Sequence, residues 1–176
     1  MADITLFCKM VVLEALKARE PLFGQWRLGA FIGAGGFGCV FRLERQDLGE
    51  RFVAALKVIP LSLETESSDK SGAPVQDRLA KAAREVVLLY RLSGHSNVVG
   101  WHNHEVFYIG EGEETTALIS VMMDYLPVSL ARMLKKGALS VRRALHVLAD
   151  CLRGLEHIHG AGLLHRDIKP ENIFIT

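Results

Sequence analysis

The chain has 176 residues, of which 49% are hydrophobic, enough to form a sizeable core in one domain or two small lobes. Its 21 Lys and Arg side chains nearly balance its 20 Asp and Glu side chains, which argues against a general attraction to nucleic acid or an anionic membrane. The three cysteines, Cys8, Cys39 and Cys151, form no CxxC pair. Their scatter argues against a disulfide framework or a zinc site and favours a reducing, cytoplasmic compartment.

Residues 1–25 are interpreted as an N-terminal extension. Within it, the stretch "ITLFCKMVVLEALKA" has apolar residues at roughly helical spacing, which predicts a helix that packs on a neighbouring surface. Lys9 and Glu14 interrupt the apolar residues, so the stretch is a poor signal peptide. No uncharged apolar run approaches about 18 residues, the length that a membrane helix needs. The sequence therefore predicts no membrane span.

The stretch "FIGAGGFGCVF" contains the pattern G-x-G-x-x-G at Gly33, Gly35 and Gly38. Dinucleotide-binding folds and protein kinases both use this pattern to bring backbone close to phosphates. A dinucleotide fold needs a helix directly after the glycines, whereas both flanks here have the composition of strands. A Walker A loop needs Lys and then Ser or Thr after the last glycine, but Cys39 and Val40 follow it.

The segments after the glycines predict two lobes. "CVFRLERQ" and "RFVAALKVI" form a predicted hairpin across the turn "DLGE", and a polar connection follows over residues 61–73. A helix is then predicted from residues 74–77 to Leu92. "HNHEVFYIG" and "TTALISVMMDYL" are predicted as two more strands. The border between lobes is predicted near the connection "DYLPVS", which gives segments 26–124 and 125–176.

The second segment is predicted to be helical. A short helix is expected at "SLARMLKKG", and Ser140 is the expected N-cap of a longer helix, "VRRALHVLADCLRGLEHIHG". An apolar seam along the longer helix, which is expected to meet other elements, consists of Val141, Leu145, Leu148, Leu152 and Leu155.

Two charged residues stand among apolar neighbours. Lys57 lies in the strand "FVAALKVI", and Glu85 lies on the apolar face of the helix that is predicted to end at Leu92. Leaving either charge buried and alone costs about 3 to 5 kcal/mol, so the two are predicted to pair. The alternative is that both side chains reach solvent unpaired.

The stretch "LLHRDIKPENIFI" places Asp167, Lys169 and Asn172 within six residues. Together with "IGAGGFGCV", "VAALK" and "REVVLL", in that order, it strongly resembles the eukaryotic-type protein kinase catalytic domain over roughly Trp26 to Thr176. Lys169, two residues after the Asp, resembles the serine/threonine branch. The resemblance implies an α+β, protein-kinase-like fold: an N-lobe with a five-stranded antiparallel sheet plus one helix, followed by the first helical part of the C-lobe.

The resemblance also implies the chemistry. Asp167 is expected to be the catalytic base, Lys169 to steady the transferring phosphoryl group, and Asn172 to bind one Mg²⁺. Lys57, held by Glu85, is expected to contact the α and β phosphates of ATP.

The glycine loop, an apolar slot and the connection between lobes are expected to contact ATP. A side chain at the three pattern glycines is expected to disfavour the unusual backbone angles there and to occupy the space that the phosphates need. The partners implied are ATP and a protein substrate with Ser or Thr, with no nucleic acid. The remaining expected ATP-binding residues are Ile32, Gly33, Ala34, Gly35, Gly36, Phe37, Gly38, Val40, Ala55, Met123, Asp124, Leu126 and Phe174.

The D-F-G segment of the family, whose Asp holds Mg²⁺, does not occur in these 176 residues. The sequence is therefore interpreted as an incomplete fragment of a protein serine/threonine kinase, with little or no phosphotransfer expected from the fragment alone. The alternative is a non-catalytic, kinase-like lobe that binds a nucleotide or a partner.

Overall fold

A computed structural model of the chain describes residues 4–35, 38–62, 87, 90–110 and 115–176. The chain divides into two compact units. The first contains the described residues up to position 87 together with Trp101–Tyr125, and the second contains residues 90–100 together with Leu126–Thr176.

The first unit contains a five-stranded antiparallel sheet. Its strands are β1 (Arg27–Gly35), β2 (Gly38–Asp47), β3 (Glu50–Ser62), β4 (Trp101–Ile109) and β5 (Thr116–Asp124). They lie in the order β1-β2-β3-β5-β4, and every neighbouring pair is antiparallel. The five predicted strands and their antiparallel arrangement are confirmed.

The hairpin between β2 and β3 closes where the sequence predicts a turn. Leu48 and Gly49 both have positive φ, of 50° and 81°. Two such residues in a row form the tight connection whose twist matches antiparallel strands. The turn fixes the register so that Val40 lies opposite Lys57.

The helix predicted to end at Leu92 is described only at its C-terminal end. Val87 and residues 90–92 are helical, and a turn follows at Ser93 and Gly94, as predicted. Gly94 has a φ of +98°, the left-handed conformation that favours glycine after a helix. The other residues of the predicted helix, including Glu85, lie outside the described residues.

The N-terminal segment is helical and packs on the sheet. It runs through Ile4–Phe7, a π-helical stretch at Cys8–Val12, and Leu13–Lys17, together called α1. The side chains of Cys8, Val12 and Leu16, four residues apart, are fully buried. Their core partners on the strands include Cys39, Phe41, Leu43, Leu56, Val58, Phe107 and Leu118.

This core lies on one face of the sheet, because alternate residues of β2 and β3 contribute to it. Full burial of a large aliphatic or aromatic side chain contributes about 1.5 to 3 kcal/mol, so α1 adds substantially to the stability of the first unit. Burial, followed by a hydrogen bond with Cys8, raises the pKa of the Cys39 thiol well above its usual range. Cys39 is therefore an apolar core residue rather than a reactive thiol.

The second unit contains two capped helices, α2 (Leu130–Leu134) and α3 (Val141–Gly160). The hydroxyl oxygen of Ser129 accepts the backbone N–H of Arg132 at 3.3 Å, and that of Ser140 accepts the backbone N–H of Arg143 at 3.3 Å. The predicted N-cap at Ser140 is confirmed. None of the helices in the described residues is long and apolar enough to cross a membrane.

The longer helix packs through a glycine. Gly154 is buried, and a Cβ added to it would lie 2.6 Å from the carbonyl oxygen of Asn97. Beside this contact, the rings of His95 and His157 stack with centroids 4.7 Å apart.

The expectation that the apolar seam meets other elements is not met within the described residues. Val141, Leu145, Leu148 and Leu152 keep exposed fractions of 78%, 60%, 55% and 56%, and Leu155 is half-buried. Packing of α3 within this unit instead uses the Gly154 side, where a helix backbone and a loop can approach closely.

Candidate active site

One face of the sheet in the first unit carries the predicted ATP-binding side chains. Val40 lies opposite Lys57, and Ala55 lies opposite Met123, so these residues share a face. It is the face opposite the one that α1 covers. Ala55 is buried, with 4% of its surface exposed, while Val40, Lys57 and Met123 are half-buried. The arrangement places one ammonium group among apolar neighbours, as the sequence predicts.

The pairing of Lys57 with Glu85 stays a prediction. Lys57 is described and half-buried on β3. Glu85 lies outside the described residues, as do Gly36 and Phe37 of the glycine loop. The expectations for Gly36 and Phe37 therefore rest on the resemblance alone, and the expectation for Glu85 rests on the resemblance and on its apolar surroundings in the sequence.

The three glycines of the pattern differ in backbone conformation and in the space that an added Cβ would find. Gly38 has a φ of +113°, and a Cβ there would overlap the carbonyl oxygen of Val58 on β3. At Gly33 and Gly35, a Cβ would meet nothing within 4 Å, and neither residue has a left-handed φ. The expectation of special backbone angles is thus wrong for Gly33 and Gly35 and holds only for Gly38. Open space over Gly33 and Gly35 fits a loop that lies against a ligand.

The remaining predicted ATP-binding residues are less buried. Ile32 has 50% of its surface exposed, Ala34 is exposed, and both belong to β1. Leu126 is half-buried and Phe174 is 40% exposed, and both belong to the second unit.

The side chain of Asp124, at the end of β5, has a partner that sequence reasoning missed. Its Oδ1 lies 2.7 Å from Nε2 of His102 on β4, and both side chains are nearly half exposed. The next residue, Tyr125, has the guanidinium of Arg42 over its ring at 5.3 Å.

The predicted catalytic residues meet in the second unit. The Nζ atom of Lys169 lies 2.9 Å from Oδ1 of Asp167. The amide nitrogen of Asn172 donates to Oδ2 of Asp167 at 2.8 Å and to its backbone oxygen at 2.9 Å. A single 3₁₀ turn at Pro170–Asn172 brings the amide back to the carboxylate.

The backbone around Asp167 is also shaped by local contacts. Arg166 has a φ of +59°, which is uncommon for a residue with a side chain and is typical of functional loops. The backbone N–H of Asp167 donates to Nδ1 of His165 at 3.3 Å. The loop that contains Asp167 thus has a defined backbone conformation.

The charge state of Asp167 follows from its neighbours. The hydrogen bond from Lys169 is the largest cause that lowers the pKa of Asp167 below its ordinary value of 3.8, and the hydrogen bond from Asn172 adds to it. The carboxylate is therefore ionised at neutral pH and accepts hydrogen bonds. This is the state that a general base needs.

Asn172 has the chemistry of a Mg²⁺ ligand. Its nitrogen is used toward Asp167, so its amide oxygen, a hard ligand suited to Mg²⁺, remains available. No group of three or more His, Cys, Asp or Glu side chains in the described part of the chain is arranged to hold a metal. The residues present fit a cation that takes most of its ligands from phosphate and water.

The sequence matches the protein kinase domain family over residues 26–176. Because the match covers most of the chain, the chain belongs to the protein kinase family. Enzymes of this family generally use ATP and Mg²⁺.

Curated relatives agree with this family assignment. The chain is 32% identical to mitogen-activated protein kinase kinase kinase 3 of Arabidopsis thaliana over 165 residues, which are 93% of this chain and 23% of that protein. It is 33% identical to the serine/threonine-protein kinase PknA of Mycobacterium tuberculosis over 156 residues, 88% of this chain and 33% of that protein. The chain thus spans a third or less of the length of these relatives.

Proposed function

We propose that this chain carries the ATP-binding and catalytic-loop residues of a protein serine/threonine kinase, which transfers the γ-phosphoryl group of ATP to protein hydroxyls. The observation that carries the proposal is the contact of one carboxylate, that of Asp167, with both Lys169 and Asn172. These are the three residues to which the family gives roles at the reacting centre. The presence of Lys169 two positions after Asp167 supports Ser and Thr as acceptors.

Each residue has a role that its position supports. Asp167, ionised at neutral pH, accepts the proton of the substrate hydroxyl and orients that oxygen toward phosphorus. Lys169 stabilises negative charge on the transferring group. Lys57, on the apolar face of the sheet, binds the α and β phosphates, and Asn172 contributes an amide oxygen to Mg²⁺. When bound, ATP supplies the phosphoryl group and Mg²⁺ neutralises the negative charge that develops on it.

The compartment proposed for this chemistry is the cytoplasm. Cys8, Cys39 and Cys151 are all free thiols, which suits a reducing environment.

The test of catalysis is transfer of ³²P from labelled ATP to a generic acceptor protein by the natural full-length protein. Asp167→Asn removes the base, and general acid–base catalysis contributes about 100-fold or more, so we expect at least that loss in kcat with little change in the KM for ATP. Asp150→Asn is the matched control, because Asp150 is an exposed carboxylate on α3 whose ion pair in the described part of the chain is with Arg153. Equal labelling by wild type and Asp167→Asn would refute the proposed base.

Nucleotide binding separates this proposal from the non-catalytic alternative. Calorimetry with Mg²⁺ and ATP on the 176-residue chain should show binding that Lys57→Met weakens. If ATP binds and the full-length protein transfers no phosphate, the chain is a nucleotide-binding lobe. If ATP affinity is the same in wild type and Lys57→Met, the assignment of Lys57 to the phosphates is wrong.

A further inference from the structure

Charge is distributed unevenly along the second unit. Between Tyr125 and Ala149 the sequence contains five Lys and Arg residues and no Asp or Glu, although the whole chain has a net charge of only +1. All 20 acidic residues of the chain lie elsewhere in the sequence. The five basic residues are Arg132, Lys135, Lys136, Arg142 and Arg143.

The positive charges of this segment have no carboxylate partner among the residues that the structure describes. Lys135, Lys136, Arg142 and Arg143 are all exposed, and within the described residues no carboxylate lies within ion-pair distance of any of them. Arg142 and Arg143 lie in the first turn of α3, which contains no acidic residue. A helix N-terminus favours negative charge, so two arginines there increase a positive potential that is already present.

A groove adjoins these charges. It has a volume of about 510 Å³ and lies within the second unit. Its apolar lining comes from Val128 before α2, Met133 in α2, Leu139 before α3, and Ile175. The backbone N–H of Ile175 donates to the carbonyl oxygen of Val128 at 2.9 Å, which fixes the two segments side by side.

The groove is amphipathic rather than simply apolar. Lys136 and Arg143, two of the unpaired basic residues, also line it. The lining of the groove indicates what binds there. Its apolar walls suit aliphatic side chains, and its two cations suit carboxylates. A small inorganic anion would leave the apolar walls exposed to water, and a purely apolar segment would leave the cations without a partner.

We propose that this groove binds a short, extended segment of a partner protein that carries one or two aliphatic side chains next to Asp or Glu residues. The groove uses none of the residues assigned to ATP or to catalysis, so the proposal goes beyond phosphotransfer and does not depend on it. Affinity comes mainly from the aliphatic contacts, while the exposed charges give selectivity for acidic sequences and faster association.

The test is fluorescence anisotropy on the 176-residue chain without nucleotide, using three fluorescein-labelled probes. The first probe, GEDLSLEDEG, combines leucines with acids. The second, GKKLSLKKKG, keeps the leucines and reverses the charge, and the third, GEDGSGEDEG, keeps the acids and lacks the leucines. We expect saturable binding of the first probe and affinities lower by about tenfold or more for the other two.

Variants of the chain test the basic residues of the groove and the space within it. The double variant Lys136→Glu/Arg143→Glu should weaken binding of the first probe by about tenfold or more. Lys17→Glu/Arg91→Glu is the matched control, because it makes the same change in net charge at exposed residues outside the groove. Ala138→Trp places a large ring in the groove from an exposed position and should abolish binding while the circular dichroism spectrum stays unchanged.

Four outcomes would overturn the proposal. The first is the absence of saturable binding of the first probe. The second is equal affinity for the first and third probes, which would indicate a general polyanion site. The third is normal binding by Ala138→Trp or by the charge-reversed variant. The fourth is self-association of the chain in sedimentation that Ala138→Trp abolishes, because the occupant would then be a second copy.

Discussion

The ammonium nitrogen of Lys169 lies 2.9 Å from Oδ1 of Asp167, and the amide nitrogen of Asn172 lies 2.8 Å from Oδ2 of the same carboxylate. Both oxygens of the proposed base thus have a donor from within the next five residues. The pair is exposed, with 48% and 39% of the two side chains accessible, so solvent screens it and its contribution to stability is small. The effect of the pair is instead to keep the carboxylate of Asp167 ionised by lowering its pKa.

Lys169→Met should raise the pKa of Asp167 toward 3.8, because the hydrogen bond from Lys169 is the largest cause of the lowered value. A group whose pKa is lowered by folding stabilises the fold above its unfolded pKa and loses that effect as the pH falls through its folded pKa. Any stability difference between wild type and Lys169→Met should therefore be present at neutral pH and decrease below about pH 3.8. Carbon-13 NMR titration of the carboxyl group measures the pKa directly.

Lys135→Met is the control for this titration, because Lys135 is an exposed lysine of the same unit with no carboxylate partner in the described residues. It should leave the pKa of Asp167 unchanged. If Lys169→Met also leaves it unchanged, the contact between Lys169 and Asp167 does not persist in solution.

Replacing glycine by alanine in the glycine loop should have different effects on stability at different positions. Gly38→Ala should destabilise the first unit by about 2 kcal/mol or more, because its φ is +113° and the added Cβ overlaps the carbonyl oxygen of Val58. Gly33→Ala and Gly35→Ala should change the free energy of unfolding by less than about 1 kcal/mol, since their Cβ atoms meet nothing within 4 Å.

The same two variants should weaken ATP binding if the open space over Gly33 and Gly35 is where phosphates lie. Urea unfolding and ATP calorimetry on each variant separate the two effects. If all three alanine variants have the same stability, the structural distinction among the glycines is wrong. If Gly33→Ala and Gly35→Ala both bind ATP like wild type, the loop does not contact the nucleotide.

Much of this structure was predictable because the decisive interactions are local in sequence. Ser140 caps α3 from the adjacent position, and the turn between β2 and β3 is marked by Gly49, which accepts its positive φ without strain. Asp167 and Asn172 are five residues apart, so one tight turn is enough to bring them together. The resemblance to the kinase family identified the candidate catalytic residues, and their short separation explains why they meet in the structure.

Other features depend on how distant segments align. The contact of His102 with Asp124 requires the register between β4 and β5, which contains an irregularity between Trp101 and Asn103. No sequence pattern fixes such a register. The difference between Gly38 and Gly33 depends in the same way on the backbone of Val58, which passes close to one glycine and not the other. Residue type cannot distinguish these cases.

The helix α1 should be an integral part of the first unit, although it precedes the matched kinase domain. Leu16 is fully buried in the core that includes Phe41 and Leu56, so Leu16→Ala should lower the free energy of unfolding by about 2 to 5 kcal/mol. Leu6→Ala is the control, because Leu6 lies on the same helix with 56% of its surface exposed. It should change the free energy by about 0.5 kcal/mol or less.

Urea unfolding followed by circular dichroism measures both variants of α1. Equal stability of Leu16→Ala and Leu6→Ala would mean that α1 does not pack on the sheet in solution. A large loss in Leu16→Ala alone would show that the stable unit begins before residue 26, where the family match starts.

Gly154→Ala should reverse the usual effect of replacing glycine in a helix. Alanine inside a helix is favoured over glycine by about 0.5 to 1 kcal/mol, so the substitution would stabilise α3 if nothing lay nearby. At Gly154, however, the Cβ would stand 2.6 Å from the carbonyl oxygen of Asn97. Separating the helix from this loop should cost about 1 to 3 kcal/mol, which exceeds the gain in helix propensity.

Gly160→Ala is the matched control, because Gly160 is the last residue of the same helix and its Cβ would meet nothing within 4 Å. It should leave stability unchanged or raise it by less than about 1 kcal/mol. The local readout is the NMR spectrum of the imidazole rings of His95 and His157, which stack beside the contact and should shift only in Gly154→Ala. If Gly154→Ala is as stable as Gly160→Ala and leaves both rings unperturbed, the loop containing Asn97 does not pack on α3.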